Sequence, residues 1–145
     1  MDVIADIKYN IRNTSKTMVD YGKDAIKMCA EDLLEKSREL APMDTGALRE
    51  SGHIDKHRDF AYTVVYDVTV ADRAEKMGKS LNKVSNPDYK YGRIQHDERF
   101  FHHDIGQALY LEEPYEANKD FYIDFIRDSM RRAIRKGVRS KRGKR

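Results

Sequence analysis

One cysteine, Cys29, is all that this sequence of 145 residues holds. With no second thiol there is no intrachain disulfide, and metal signatures that need two cysteines are excluded. A reducing cytoplasm is the natural setting. Long apolar runs are missing too. No stretch approaches the ~18 apolar residues of a membrane span, and the opening Met1-Asp2-Val3-Ile4-Ala5-Asp6 has neither the basic start nor the apolar run of an export signal. The expectation is a soluble intracellular product with no membrane partner. The sequence also lacks a glycine-rich phosphate loop, a Gly-x-Ser-x-Gly elbow and a Cys-His pair in a recognisable motif. Catalysis has little to stand on, so the chain is read as a non-enzyme that needs no cofactor. It contains no internal repeat.

What it does have is charge: 37% of the residues are charged against 39% hydrophobic. A chain of this length fits one domain with a real but lean core and a salt-rich surface. The formal net charge of +3 is unevenly spread. Residues 131–145 hold nine Lys and Arg and no acid, which leaves 19 basic and 25 acidic groups on the preceding 130 residues, a net of −6. A basic tail on an acidic body can touch the phosphates of nucleic acid or an acidic protein surface. The candidate contacts are Arg135, Lys136, Arg139, Lys141, Arg142, Lys144 and Arg145. No aromatic residue interleaves them, so they would bind phosphate charge without reading bases. The plainer reading is a solvated, disordered terminus over 137–145, beyond a single domain spanning 1–136.

Val3, Ile4, Ile7 and Ile11 mark one face of a short helix, and Asn13-Thr14-Ser15 either interrupts it or forms a polar patch on one continuous helix. From Lys16 to Leu40 a helical face recurs at Met18, Gly22, Ala25, Ile26, Cys29, Ala30, Leu33, Ser37 and Leu40. Its small residues would let another backbone approach, which suits packing across a sheet, and Cys29 is most simply a small buried hydrophobe there. Gly52–His57 can begin a strand. Phe60 to Ala71 alternates with the period of a half-buried one. Asp72 to Lys90 reads as a long polar loop between strands, of a length that compact domains keep for binding or assembly. Lys76, Lys79, Lys83 and Tyr89 are its candidate contacts. Tyr89, Tyr91 and Ile94 return the chain to a strand, and residues 97–107 read as irregular. Pro114 suits the first turn of a final helix, with Glu112, Glu113 and Glu116 at its positive end. Ile123, Ile126, Met130 and Ile134 give that helix its face, widened by Tyr122 and Phe125, and Gly137 suits its C-cap.

Between the two periods stands Ala41-Pro42-Met43-Asp44-Thr45-Gly46-Ala47-Leu48-Arg49-Glu50-Ser51. Pro42 disfavours helix at Ala41, so the first helix ends near Leu40. Asp44 and Thr45 can accept hydrogen bonds from amides one or two residues on, and Gly46 permits a positive φ. Leu48 is the apolar anchor, while Arg49 stays wet or finds a partner. The segment is read as a rigid corner. Such residues also make ordinary turns.

The run Ala-Pro-x-Asp-Thr-Gly-x-Leu-Arg-x-Ser after a helix resembles the signature of the tail-completion, or head-tail joining (minor capsid), proteins of long-tailed bacteriophages. Tyr91-Gly92-Arg93-Ile94-Gln95-His96-Asp97-Glu98 and Gln107-Ala108-Leu109-Tyr110-Leu111-Glu112-Glu113-Pro114 resemble that family's later elements in order and spacing, so the likeness spans about residues 20–136. It departs where His96-Asp97-Glu98 replaces the family's Glu-Phe-Gly or His-Glu-Gly wording. The resemblance implies an α+β fold in which a long N-terminal helix and a C-terminal helix pack on an antiparallel sheet with a mobile loop. It implies a structural protein of the virion neck, made in the host cytoplasm. That protein would form a homo-oligomeric ring, hexameric or dodecameric, that meets the connector ring, the tail tube or tail terminator, and packaged DNA.

Two other functions draw on parts of this sequence. One is a small sequence-nonspecific nucleic-acid-binding protein acting through the basic tail. The other is a metal-dependent nuclease built on His96, Asp97, Glu98, His102, His103 and Asp104. The metal reading has suitable atoms but lacks the four-residue His spacing of a zinc helix, and adjacent His102 and His103 point apart in most conformations. His53 and His57 have the same difficulty on a strand.

Overall fold

The computed structural model describes the backbone of residues 3–142 and the side chains of residues 12–137. It is an α+β fold with a long N-terminal helix, a two-stranded antiparallel sheet and a long C-terminal helix. Helix α1 (Val3–Leu40) runs through Asn13-Thr14-Ser15 without a break. Thr17 donates its hydroxyl to the Asn13 carbonyl at 3.0 Å, one turn back, so this polar patch feeds the helix instead of capping a new one. The helix stops at Leu40, where Pro42 requires it to.

After the corner come a short helix α2 (Ala47–Ser51) and the hairpin β1 (Gly52–Arg58) and β2 (Ala61–Tyr66), in register from Gly52 opposite Tyr66 to Arg58 opposite Ala61. The strand expected to reach Ala71 ends at Tyr66. Thr69 starts a helix instead, α3 (Val70–Lys76), through a reciprocal capping box: the Thr69 hydroxyl accepts from the Asp72 amide at 3.2 Å, and the Asp72 carboxylate accepts from the Thr69 amide at 2.7 Å. The first part of the expected long loop is therefore helical. A single 3₁₀ turn follows at Leu81–Lys83.

The expected return strand at Tyr89–Ile94 is reduced to one bridge, Thr69 with Lys90, and helix α4 (Gly92–Asp97) takes its place. The carbonyls of Pro87 and Tyr89 are occupied by the free amides at the start of α3, Ala71 at 2.8 Å and Val70 at 3.0 Å, so they are not free to extend a ladder. Residues 98–111 are irregular, as their composition implies. Helix α5 (Glu112–Arg142) begins with Pro114 in its first turn and passes straight through Gly137, which is neither its cap nor its end.

The two long helices pack against each other, antiparallel, and α1 also touches the hairpin. Lys36 bonds Asn118, Tyr122 bonds Asp32, and the ring of Tyr21 lies below Lys136. The small-residue stripe of α1 thus serves both a helix and the sheet: Cys29 lies against the Tyr122 backbone of α5, Ser37 bonds the Tyr66 hydroxyl of β2 at 2.6 Å, and Ala25 is buried on the same stripe. On α5 the inward stripe is Tyr122, Ile126, Ser129 and Ala133, while Ile123 and Ile134, expected on the buried face, are exposed. Tyr122, expected at the flank, is at the centre. No helix among the described residues is long and apolar enough to cross a membrane.

Candidate functional site: the corner and its groove

The apolar centre of the molecule is the corner itself. Ala41, Ala47, Leu48, Val68 and Tyr110 form the buried cluster, with Leu40, Tyr66, Tyr91 and Leu111 against it. Gly46 has φ +86°, as a corner that needs the left-handed region demands. Leu48 is buried as the anchor. Arg49 finds partners: its Nε donates to the Ala41 carbonyl at 2.9 Å and an Nη to the Glu39 carbonyl at 3.0 Å. It thereby satisfies carbonyls left open at the end of α1. Arg38 in the last turn donates to the Gly52 carbonyl in the same way, tying α1 to the first residue of β1.

Thr45 accepts from the Ala47 amide at a long 3.4 Å. Asp44 does not brace the turn as expected. Its carboxylate takes two bonds from the Arg73 guanidinium on α3, at 3.0 and 2.6 Å. Glu50 pairs with Lys76 at 2.5 Å, so two exposed ion pairs join the corner to α3. Each is worth ~0–1 kcal/mol, enough to orient α3 but little to hold it.

A second strand of chain locks the bend from behind. The Met43 amide donates to the Ile105 carbonyl at 3.0 Å, and the Gln107 amide to the Leu40 carbonyl at 2.8 Å. Between them Gly106, at φ +92°, passes so close that a Cβ there would sit 2.5 Å from the Ala41 carbonyl oxygen. Nothing in the motif points to Gly106, although a lone glycine in a polar irregular stretch is a signal for close approach. Tyr110, 2% exposed, donates to the Gly92 carbonyl at 3.1 Å and meets the rings of Tyr66 and His96 edge-on at 5.1 Å. Burial pushes its phenol pKa well above the ordinary value.

A groove of about 630 Å³ opens over the corner. It is lined by Pro42, Asp44 and Leu48 of the corner, by Arg73, Tyr89 and Tyr91, and by His102 to Ile105. Burial raises the Tyr91 pKa, with Arg73 opposing. Met43 and Ile105 in its lining are substantially exposed, as is Phe101 in the preceding loop, where Phe100 is 96% exposed.

Of the four residues expected to serve assembly, only Tyr89 reaches the groove. Lys76 belongs to α3, while Lys79 and Lys83 are exposed on either side of Leu81. In the basic tail, Arg135 and Lys136 are exposed on α5, and Lys136 donates to the Tyr21 hydroxyl at 3.2 Å. Arg139, Lys141 and Arg142 continue the helix, and Lys144 and Arg145 lie outside the described residues.

The six candidate metal ligands are not brought together. His96 lies against Tyr110, bonded through Nδ1 to Asp97 at 2.9 Å, and its Nε2 accepts from the Glu112 amide that opens α5 at 3.3 Å. The bond from His96 and a second from Arg93 hold the Asp97 pKa below the ordinary carboxylate value. His102 pairs with Asp104 at 3.1 Å on the outer loop. The Nε2 of His103 is buried and finds no hydrogen-bond partner among the described residues. Among the described residues no three His, Cys, Asp or Glu side chains converge as a metal site would require. His53 bonds the Ser51 carbonyl and His57 the Thr63 hydroxyl, each at 2.8 Å.

Compared with protein-family models, with characterised proteins and with solved structures, the chain finds no match.

Proposed function

We propose that this protein is a structural component of a tailed-phage neck, assembling as a ring that joins the head connector to the tail. The observation that carries this reading is the corner. The motif residues that suggest the family are the ones that build the hub of the fold: Gly46 by its φ, Leu48 by its burial and Arg49 by closing the end of α1. The order of elements, long helix, corner, hairpin and final helix, agrees with what the resemblance implies. The exposed apolar rim beside the groove adds support, because contiguous exposed apolar groups mark protein contacts more often than open surface. The role is scaffolding, with self, connector and tail as partners.

The excursion after α3 supplies the test. Gly78, at φ +67°, closes α3, and residues 79–83 are all exposed beyond it. A polar loop of this kind can defer its ordering cost until a partner supplies contacts. Replacing Lys79–Ser85 by a short glycine linker is expected to leave the unfolding temperature unchanged and to abolish joining of heads to tails. Filled heads and separate tails in electron micrographs are the expected result; infectious particles from the deletion would remove the assigned role from the loop. The second reading, a nucleic-acid binder, is favoured by the exposed cations of α5, and the same preparation tests it by DNA binding.

A further inference from the structure

Among the described residues, no contact with another element accounts for the outer face of α5. Phe121, 62% exposed, and Phe125 stack on each other there, 6.2 Å between centroids and 24° between planes. They floor a shallow trough of about 730 Å³ with Asp124 and Asp128 toward one end and Arg131 and Arg135 toward the other. The charge along the helix is split in the same sense. Residues 112–124 carry five acids and one lysine, and residues 125–142 carry one acid and eight Lys or Arg. Helix-dipole compensation favours this sign pattern only within the first and last turns. Asp120, Asp124 and Arg131 lie well inside, and the dipole gives no reason for an exposed Phe121 stacked on a half-buried Phe125.

We propose that this face pairs, antiparallel, with α5 of a second copy of the chain. Parallel pairing would set acid against acid and base against base. Antiparallel pairing about a two-fold axis between Arg127 and Asp128 sets Asp120 and Asp124 against Arg135 and Arg131 and covers the phenylalanines between the helices. The helix is therefore complementary to itself in one orientation only. The intrahelical pairs Asp124 with Arg127 at 2.7 Å and Asp128 with Arg131 at 3.7 Å are exposed. Their partners can be exchanged across the interface at little cost. This contact goes beyond the ring reading and does not rest on it.

Sedimentation equilibrium of the full chain tests it. The wild type is expected to show a concentration-dependent dimer at low ionic strength that weakens in molar salt as the Debye length shrinks. Asp120→Lys with Asp124→Lys, and separately Arg131→Glu with Arg135→Glu, are each expected to be monomeric with unchanged helicity by circular dichroism. The variant carrying all four changes is expected to dimerise again with itself and not to mix with wild type, which also shows that the reversals do not damage the fold. Phe121→Ser is expected to weaken the dimer at every salt concentration. A monomeric wild type overturns the proposal, as does a four-fold variant that pairs with wild type and not with itself, because that is the parallel arrangement. Ring-sized particles unaffected by any of these variants overturn it too, while leaving the ring reading standing.

Discussion

At Gly46 and at Gly106 the backbone φ is positive, but the two glycines are needed for different reasons. A Cβ on Gly46 would have only the Glu50 carboxylate near it, at 3.6 Å, so its cost is conformational alone. Gly46→Val is expected to destabilise by about 1 kcal/mol or more, since a β-branched residue fits that region badly. Gly106→Ala adds a collision with the Ala41 carbonyl and the Pro42 backbone, which cannot rotate away as a side chain could. It is expected to cost about 2 kcal/mol or more, strain and overpacking together. Pro42→Ala, which removes no hydrogen bond, is expected to be milder than either. Urea unfolding of the three variants gives the ranking; a Gly106→Ala protein as stable as wild type would show that the 98–111 segment does not lock the bend.

At the scale of elements, the docking of α5 on α1 is pinned by one polar cluster. Asp32 accepts from Lys36 and from the Tyr122 hydroxyl, both at 2.6 Å, and Lys36 also bonds Asn118. Burial works against the Asp32 charge, but the bonds from Lys36 and Tyr122 outweigh it and leave its pKa below the ordinary value. A carboxylate with a depressed folded pKa contributes stability above its unfolded pKa of ~3.9 and loses it as pH falls through the folded value. Asp32 should therefore add nothing to pH dependence between neutrality and about pH 5 and should contribute to acid unfolding below about pH 4. Asp32→Asn is expected to lower stability at neutral pH and flatten that acid limb in thermal melts across pH. The same elements show what is legible in the sequence. Both long helices and the corner follow from period and punctuation, because local patterns decide them. The strand beyond Tyr66 and the one at Tyr89 do not exist, because Thr69-Val70-Ala71-Asp72 is a capping box whose alternating apolar residues mimic a strand. Hydrophobicity alone turns Ile123 and Ile134 inward, but the face packed on α1 is Tyr122, Ile126, Ser129 and Ala133, where the Tyr122 hydroxyl reaches Asp32 and its carbonyl lies against the Cys29 thiol.

On the whole molecule, an acidic body carries a basic end, and that end is helical as far as Arg142. Truncation after Lys136 removes Arg139, Lys141, Arg142, Lys144 and Arg145 and leaves the inward contacts of α5 up to Ala133 in place. The truncated protein is expected to keep its melting temperature within a few degrees and to bind duplex DNA far more weakly. Its salt dependence should be shallower, by about one unit of slope for each phosphate that the tail no longer neutralises. Equal DNA binding by both forms would exclude the tail as a nucleic-acid contact, and loss of binding to an acidic protein ring alone would assign it to protein.

The antiparallel pairing of α1 and α5 also sets how the subunit responds to load. Thr14 in the N-terminal half of α1 lies beside Gly137 near the end of α5, while the corner and its groove lie some 25 residues of helix away, ~38 Å. Pulling α1 and α5 apart at the Thr14–Gly137 end opens the pair like a zipper, one row of side chains at a time. Holding α1 at that far tip and α5 at the groove end shears every row together, and a joint loaded in shear resists far more tension than the same joint peeled. If the proposed neck role holds, attachments to neighbours made at opposite ends of this pair would carry load better than attachments made at one end.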